Sequence, residues 1–65
     1  MNKIKFANTD VDAWKVRAGT VVVWEGQYYH VCGFASNDVL NINDDISLQT
    51  SIRVGADELW WIEPH

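Results

Sequence analysis

Cysteine is nearly missing from this chain of 65 residues: Cys32 stands alone, so an internal disulfide is excluded and no cysteine-rich zinc site can form. Proline is as scarce, with only Pro64. No apolar run approaches the ~18 residues of a membrane-spanning helix. Behind Met1-Asn2-Lys3-Ile4-Lys5-Phe6 there is no apolar stretch with a cleavage site, so no secretory signal is expected and the chain is read as cytoplasmic. Cations are few: five Lys and Arg face nine Asp and Glu, a formal charge of −4. Hydrophobic residues nevertheless make up 48%, too many for a disordered acidic tail. The length allows one domain over 1–65, with no linker or internal repeat.

Tryptophan is abundant. Trp14, Trp24, Trp60 and Trp61 stand with Tyr28, Tyr29, Phe6 and Phe34. A domain this small buries only about 60% of the surface its unfolded chain exposes. Aromatic side chains bury roughly 150–250 Å² each, so this set is expected to supply much of the core.

Along the chain, Lys3-Ile4-Lys5-Phe6-Ala7 alternates polar and apolar residues, as an edge strand with its lysines in water does. Asn8-Thr9-Asp10 suits a turn or a helix N-cap. Val11, Trp14 and Ala18 then fall at helical spacing ahead of Gly19, which predicts a short helix of two turns; an extended Trp14-Lys15-Val16 is the rival. Thr20–Trp24 and Gln27–Phe34 flank Glu25-Gly26, and this pattern predicts a hairpin. A two-residue loop pairs Val22 with Tyr29, and a four-residue loop pairs Trp24 with Tyr29. Parity then puts Val22, Trp24, Tyr29 and Val31 on one face. Val21, Val23, Tyr28, His30, Cys32 and Phe34 fall on the other. After a turn at 35–38, Val39–Ile42 reads as a strand with Leu40 and Ile42 inward. Asn43-Asp44-Asp45 turns the chain again. Ile46, Leu48, Thr50, Ile52 and Val54 then alternate with polar residues, as in a half-buried strand. Gly55–Glu58 predicts one helical turn, and Leu59–Ile62 a closing strand ended by Pro64.

Four to five short strands in so short a chain predict an all-β fold, a small antiparallel barrel. The string Gly19-Thr-Val-Val-Val-Trp24-x-Gly26-x-x-Tyr29-x-Val31 resembles the first hairpin of SH3-like barrels. Gly55 to Ile62 resembles their short helical turn before the closing strand. The same hairpin pattern occurs in small barrel modules of transposases and other mobile-element proteins. The resemblance covers residues 19–62, implies an SH3-like barrel there, and leaves 1–18 as a basic N-terminal strand followed by a helix or turn. It carries no catalytic motif.

His30 and Cys32 lie two apart on one strand, where a nucleophile–base pair or half a metal site could form, but no neighbouring motif completes either. Asn43-Asp44-Asp45 lacks the alternate ligand positions and central glycine of a calcium loop. Asp57 and Glu58 suit the first turn of a short helix. No phosphate loop or zinc spacing is present, so no cofactor, no metal and no enzyme activity are expected. Trp60 and Trp61, adjacent in a strand, must point to opposite faces. One is expected in the core. The other packs on the N-terminal segment or stands exposed as an anchor. A groove of Tyr28, Phe34 and one of these tryptophans is the expected contact surface; on SH3-like folds such aromatic patches bind peptides or methylated lysines.

Charge divides the chain unevenly. Residues 1–17 hold Lys3, Lys5, Lys15 and Arg17 against Asp10 and Asp12, a net of +2. Residues 18–65 hold Arg53 against Glu25, Asp38, Asp44, Asp45, Asp57, Glu58 and Glu63, a net of −6. Phosphate binding by the second part is electrostatically opposed. The expected function is therefore a non-enzymatic protein–protein interaction module, a small regulator or inhibitor using Tyr28, Phe34, Trp60, Trp61, Asp44 and Asp45. A nucleic-acid-binding domain is the alternative, with Lys3, Lys5, Lys15 and Arg17 on phosphates and aromatics stacking on bases. A nucleic-acid mimic inhibiting a nucleic-acid-processing enzyme is a third reading. No membrane partner is expected, and the chain is a monomer or small homo-oligomer.

Overall fold

The computed structural model describes residues 2–44 and 51–63. Among them, seven strands form two antiparallel sheets, and no α-helix occurs. Strands β1 (Lys3–Lys5) and β2 (Asp10–Asp12) pair as a two-stranded ribbon with Ile4 opposite Val11. Each strand turns one apolar residue to the core and lysines or aspartates outward, the arrangement expected for a ribbon with one wet face. Lys3 reaches Asp12 across it at 3.9 Å.

The two-turn helix predicted after Thr9 does not form. Asp10–Asp12 is strand, and a single 3-10 turn, Ala13–Lys15, follows. The apolar spacing that suggested a helix defines no buried stripe, because Val11 is buried while Trp14 is 59% exposed. Val11 instead finds its partner across the ribbon, in Ile4. The extended alternative holds only for Val16, which is extended and buried beyond the turn.

The second sheet runs β6-β5-β4-β3-β7, with β3 at Val21–Trp24, β4 at Gln27–Phe34, β5 at Val39–Asn43, β6 at Ile52–Gly55 and β7 at Trp60–Trp61. Val22 pairs with Tyr29, so the hairpin loop has two residues. Glu25 and Gly26 both take positive φ, 49° and 79°, the tight turn whose twist matches the flanking strands. Glycine adopts this region freely; glutamate does so at a cost. Glu25→Asn is expected to stabilise the fold by about 0.5–1 kcal/mol, because asparagine tolerates the left-handed region. A urea midpoint that rises at constant m checks it.

Leu40 and Ile42 face inward from β5 and are fully buried. Of the predicted strand over 46–54, Ile52–Gly55 is present, with Val54 buried opposite Leu40. Residues 45–50, including Asp45 and the inward positions predicted there, lie outside the described residues, as does Pro64. The predicted turn after Gly55 is a 3-10 turn at Ala56–Glu58; the Ala56 amide donates to the Asp38 carbonyl at 2.7 Å.

The core is more aliphatic than the composition suggests. Val22, Val31, Leu40, Ile42 and Leu59 are fully buried, joined by Ile4, Phe6, Val11, Val16, Val54, Ala56 and Trp61. Trp24 packs against this cluster, edge-on to Tyr29 with ring centres 5.7 Å apart. Trp14 and Trp60 lie outside it, so half of the tryptophans expected to build the core do not.

The ribbon is tied to the sheet at β7. Phe6 packs on Trp61 with ring centres 5.0 Å apart, and the Ala7 amide donates to the Leu59 carbonyl at 2.9 Å. The Asn8 side chain treats the backbone of Trp61 as a strand neighbour would. Its Oδ1 accepts from the Trp61 amide at 2.8 Å, and its Nδ2 donates to the Trp61 carbonyl at 3.0 Å. The free edge of a two-residue strand is thereby covered. None of the helical segments described is long and apolar enough to cross a membrane.

Candidate interaction surface

Register decides which aromatic rings meet. Val23 on β3 is opposite Tyr28 on β4 and opposite Trp60 on β7. Residues opposite one another in a sheet share a face, so Tyr28, Val23 and Trp60 form one row across three strands. The neighbouring row, Val22 with Tyr29 and Trp61, faces the core. Tyr28 is 68% exposed and Trp60 53%, while Trp61 is 7% exposed. Trp61 is therefore the core ring and also the one that packs on the N-terminal segment, through Phe6. Trp60 receives no such cover and stands on the outer face.

Phe34 does not join this row. Parity along β4 places it with Tyr28, but the register shifts between Val31 and Gly33, where Cys32 is the extra residue of a bulge. Beyond the bulge Phe34 is opposite Leu40, an inward position. Phe34 lies at the rim of the inner side, lining a cavity of about 660 Å³ with Ile4, Ala13 and Asn37. The bulge also breaks the His30–Cys32 alignment. The Cys32 thiol is exposed and donates to the Asn41 carbonyl at 3.3 Å, and His30 is opposite Val21 and Asn43 on the outer face. No group of three His, Cys, Asp or Glu side chains is placed to hold a metal ion among the described residues. Asp44 follows β5, half-buried, one residue beyond Asn43, which is opposite His30 on β4, the strand that carries Tyr28.

The cations of the N-terminal segment gather differently. Lys3, Lys15 and Arg17 line a groove of about 860 Å³ with Trp14; Lys5 does not. The Lys15 ammonium lies 5.4 Å from the centre of the Trp14 ring, and Arg17 Nε donates to the Trp14 carbonyl. Asp10, Asp12 and Glu63 line the same groove, so its charge is balanced. Trp14 is the surface ring that composition alone assigns to the core. The cations at Lys15 and Arg17 beside it are the signal for a wet position. Comparison with protein-family models, with curated proteins and with solved structures finds no match to this chain.

Proposed function

We infer that the chain is a non-enzymatic protein–protein interaction module that binds its partner through the outer sheet face centred on Tyr28, Val23 and Trp60. One observation carries the reading. A tyrosine and a tryptophan stand exposed on either side of a half-buried valine, on a sheet whose other face already holds the core. Tyr and Trp are the residue types that most often anchor protein interfaces. An SH3-like barrel is the architecture proposed for residues 19–62. Support for it comes from the meander β3-β4-β5-β6, the 3-10 turn at Ala56–Glu58, and the return of β7 to the side of β3. The role of a small cytoplasmic regulator or inhibitor rests on the resemblance to barrel modules of mobile-element proteins. Affinity capture from the cells that express the chain tests the reading. The wild type is expected to retain a defined partner that the folded double variant Tyr28→Ala/Trp60→Ala loses at least tenfold. Equal retention by both proteins would remove this face as the contact surface.

A second reading has its own observation: three of the four N-terminal cations share a groove with exposed Trp14. Single-stranded nucleic acid bound there would stack on Trp14 and set its phosphates on Lys3, Lys15 and Arg17. Such binding weakens steeply with salt, so absence of binding even at low ionic strength rules it out.

A further inference from the structure

The five-stranded sheet has two edges, and they are treated differently. At β7 the Asn8 side chain and the Ala7 amide stand in for a neighbouring strand. At β6 the only neighbour among the described residues is β5. The Ala56 amide donates towards β5, to the Asp38 carbonyl. Alternate residues of a strand aim their backbone groups the same way, so Val54 and Ile52 also bond to β5. Arg53 and Gly55 therefore aim their N–H and C=O groups out of the sheet, and no described residue bonds to them there. Such an edge is a template for a further strand.

Charge on this edge is arranged around Gly55. Val54 is buried in the core, so Arg53 and Gly55 share the outer face. A Cβ on Gly55 would stand 2.8 Å from the Asp57 carboxylate and 3.7 Å from that of Glu58. Arg53, Asp57 and Glu58 are exposed, and none of them has an ion-pair partner among the described residues. An arginine two residues before a glycine overhung by carboxylates is its own complement under two-fold rotation. When two β6 strands pair antiparallel about Val54, Arg53 of each copy is opposite Gly55 of the other. Both positions aim backbone groups outward, so each pair exchanges two hydrogen bonds. Opposed side chains start about 5 Å apart, and the missing one on Gly55 leaves each guanidinium a path to the Asp57 and Glu58 carboxylates of the other copy. A register moved by two residues one way sets Arg53 against Arg53. Moved the other way, it brings both sets of carboxylates together over facing glycines.

We propose that the β6 edge pairs with β6 of a second copy of this chain, in the register that sets Arg53 opposite Gly55. The strand pairing is short and each copy carries a charge of −4, so the dimer belongs to the weak, transient class of interfaces. It does not depend on the reading of the outer row as a contact surface. That row lies on β7, β3 and β4, away from this edge, and stays open on both copies.

Sedimentation and amide hydrogen exchange of the full chain, from about 10 μM to about 1 mM, test the proposal over the range in which so small an interface associates. The average mass is expected to rise towards that of two chains, and protection of the Arg53 and Gly55 amides to rise with it. Arg53→Glu, and separately Asp57→Lys/Glu58→Lys, set like charges across the pair. Each is expected to weaken self-association at least about tenfold. Mixed in equal amounts, the two variants regain both contacts and are expected to associate within about threefold of the wild type. A constant mass with exchange independent of concentration overturns the proposal. Self-association that both charge variants leave intact overturns it too, as does failure of the two folded variants to complement each other. Concentration-dependent changes at Tyr28 and Trp60, with none at Arg53 and Gly55, overturn it in favour of contact through the outer row. None of these results touches the capture experiment with Tyr28→Ala/Trp60→Ala, which decides the partner surface separately.

Discussion

Trp61→Ala is expected to cost about 3–5 kcal/mol of folding stability, and Trp60→Ala, one residue earlier, less than about 1 kcal/mol. The contrast follows from strand geometry: adjacent residues face opposite sides, and the register with β3 assigns the sides. Trp61 is opposite fully buried Val22 and stacks on Phe6, so its removal opens a cavity where the N-terminal ribbon meets the sheet. Trp60 is opposite Val23 on the outer face, and water can fill the space it leaves. A domain of this length has a total stability of only about 3–10 kcal/mol, so Trp61→Ala leaves a large unfolded fraction at room temperature. Urea unfolding followed by circular dichroism separates the two variants. Equal losses would mean that the faces are assigned wrongly.

Asn8→Ala is expected to destabilise the protein by about 2 kcal/mol, a large effect for an exposed polar residue. Its amide makes both hydrogen bonds that a neighbouring strand would make to Trp61, at 2.8 and 3.0 Å. Without it, the Trp61 amide and carbonyl beside the core lose their partners. Asn8→Asp keeps an acceptor for the amide but sets a carboxylate against the carbonyl, so it is expected to fall no nearer the wild type than Asn8→Ala. Hydrogen exchange reports the cause: protection of the Trp61 amide should drop with Asn8→Ala while that of Val31, inside β4, changes only with global stability. Unchanged protection at Trp61 would show that the clamp contributes nothing.

The parts of the fold legible in the sequence are those where alternation runs long enough to set a phase. Val21–Trp24 and Gln27–Val31 around Glu25-Gly26 give the hairpin, its two-residue loop and its inner face. Leu40 and Ile42 give the inward side of β5, and Gly55-Ala56-Asp57-Glu58 the 3-10 turn. The ribbon is less legible because each of its strands has three residues and one inward side chain. Ile4 is flanked by lysines that hint at an edge, but Val11 alone fixes no period, and helix and strand fit it equally. The bulge at Cys32 leaves no mark on the alternation either, although Gly33 inside the strand is a hint of it. That one extra residue moves Phe34 from the outer face to the inner rim, and the expected trio of Tyr28, Phe34 and a tryptophan becomes a pair. Adjacency places Trp60 and Trp61 on opposite faces, but only the pairing of Trp61 with Val22 shows which is inside.

The proposed function requires the outer row, and not the Trp14 groove, to be the surface a partner touches. Photo-crosslinking addresses it most directly. A benzoylphenylalanine is placed at Tyr28, at Trp60 or at Trp14, all exposed positions that the fold tolerates. The chain is then irradiated in its own cells. Adducts to one protein are expected from positions 28 and 60 and not from 14. Adducts from 14 alone, to protein or nucleic acid, would contradict the account and move the site to the cationic groove.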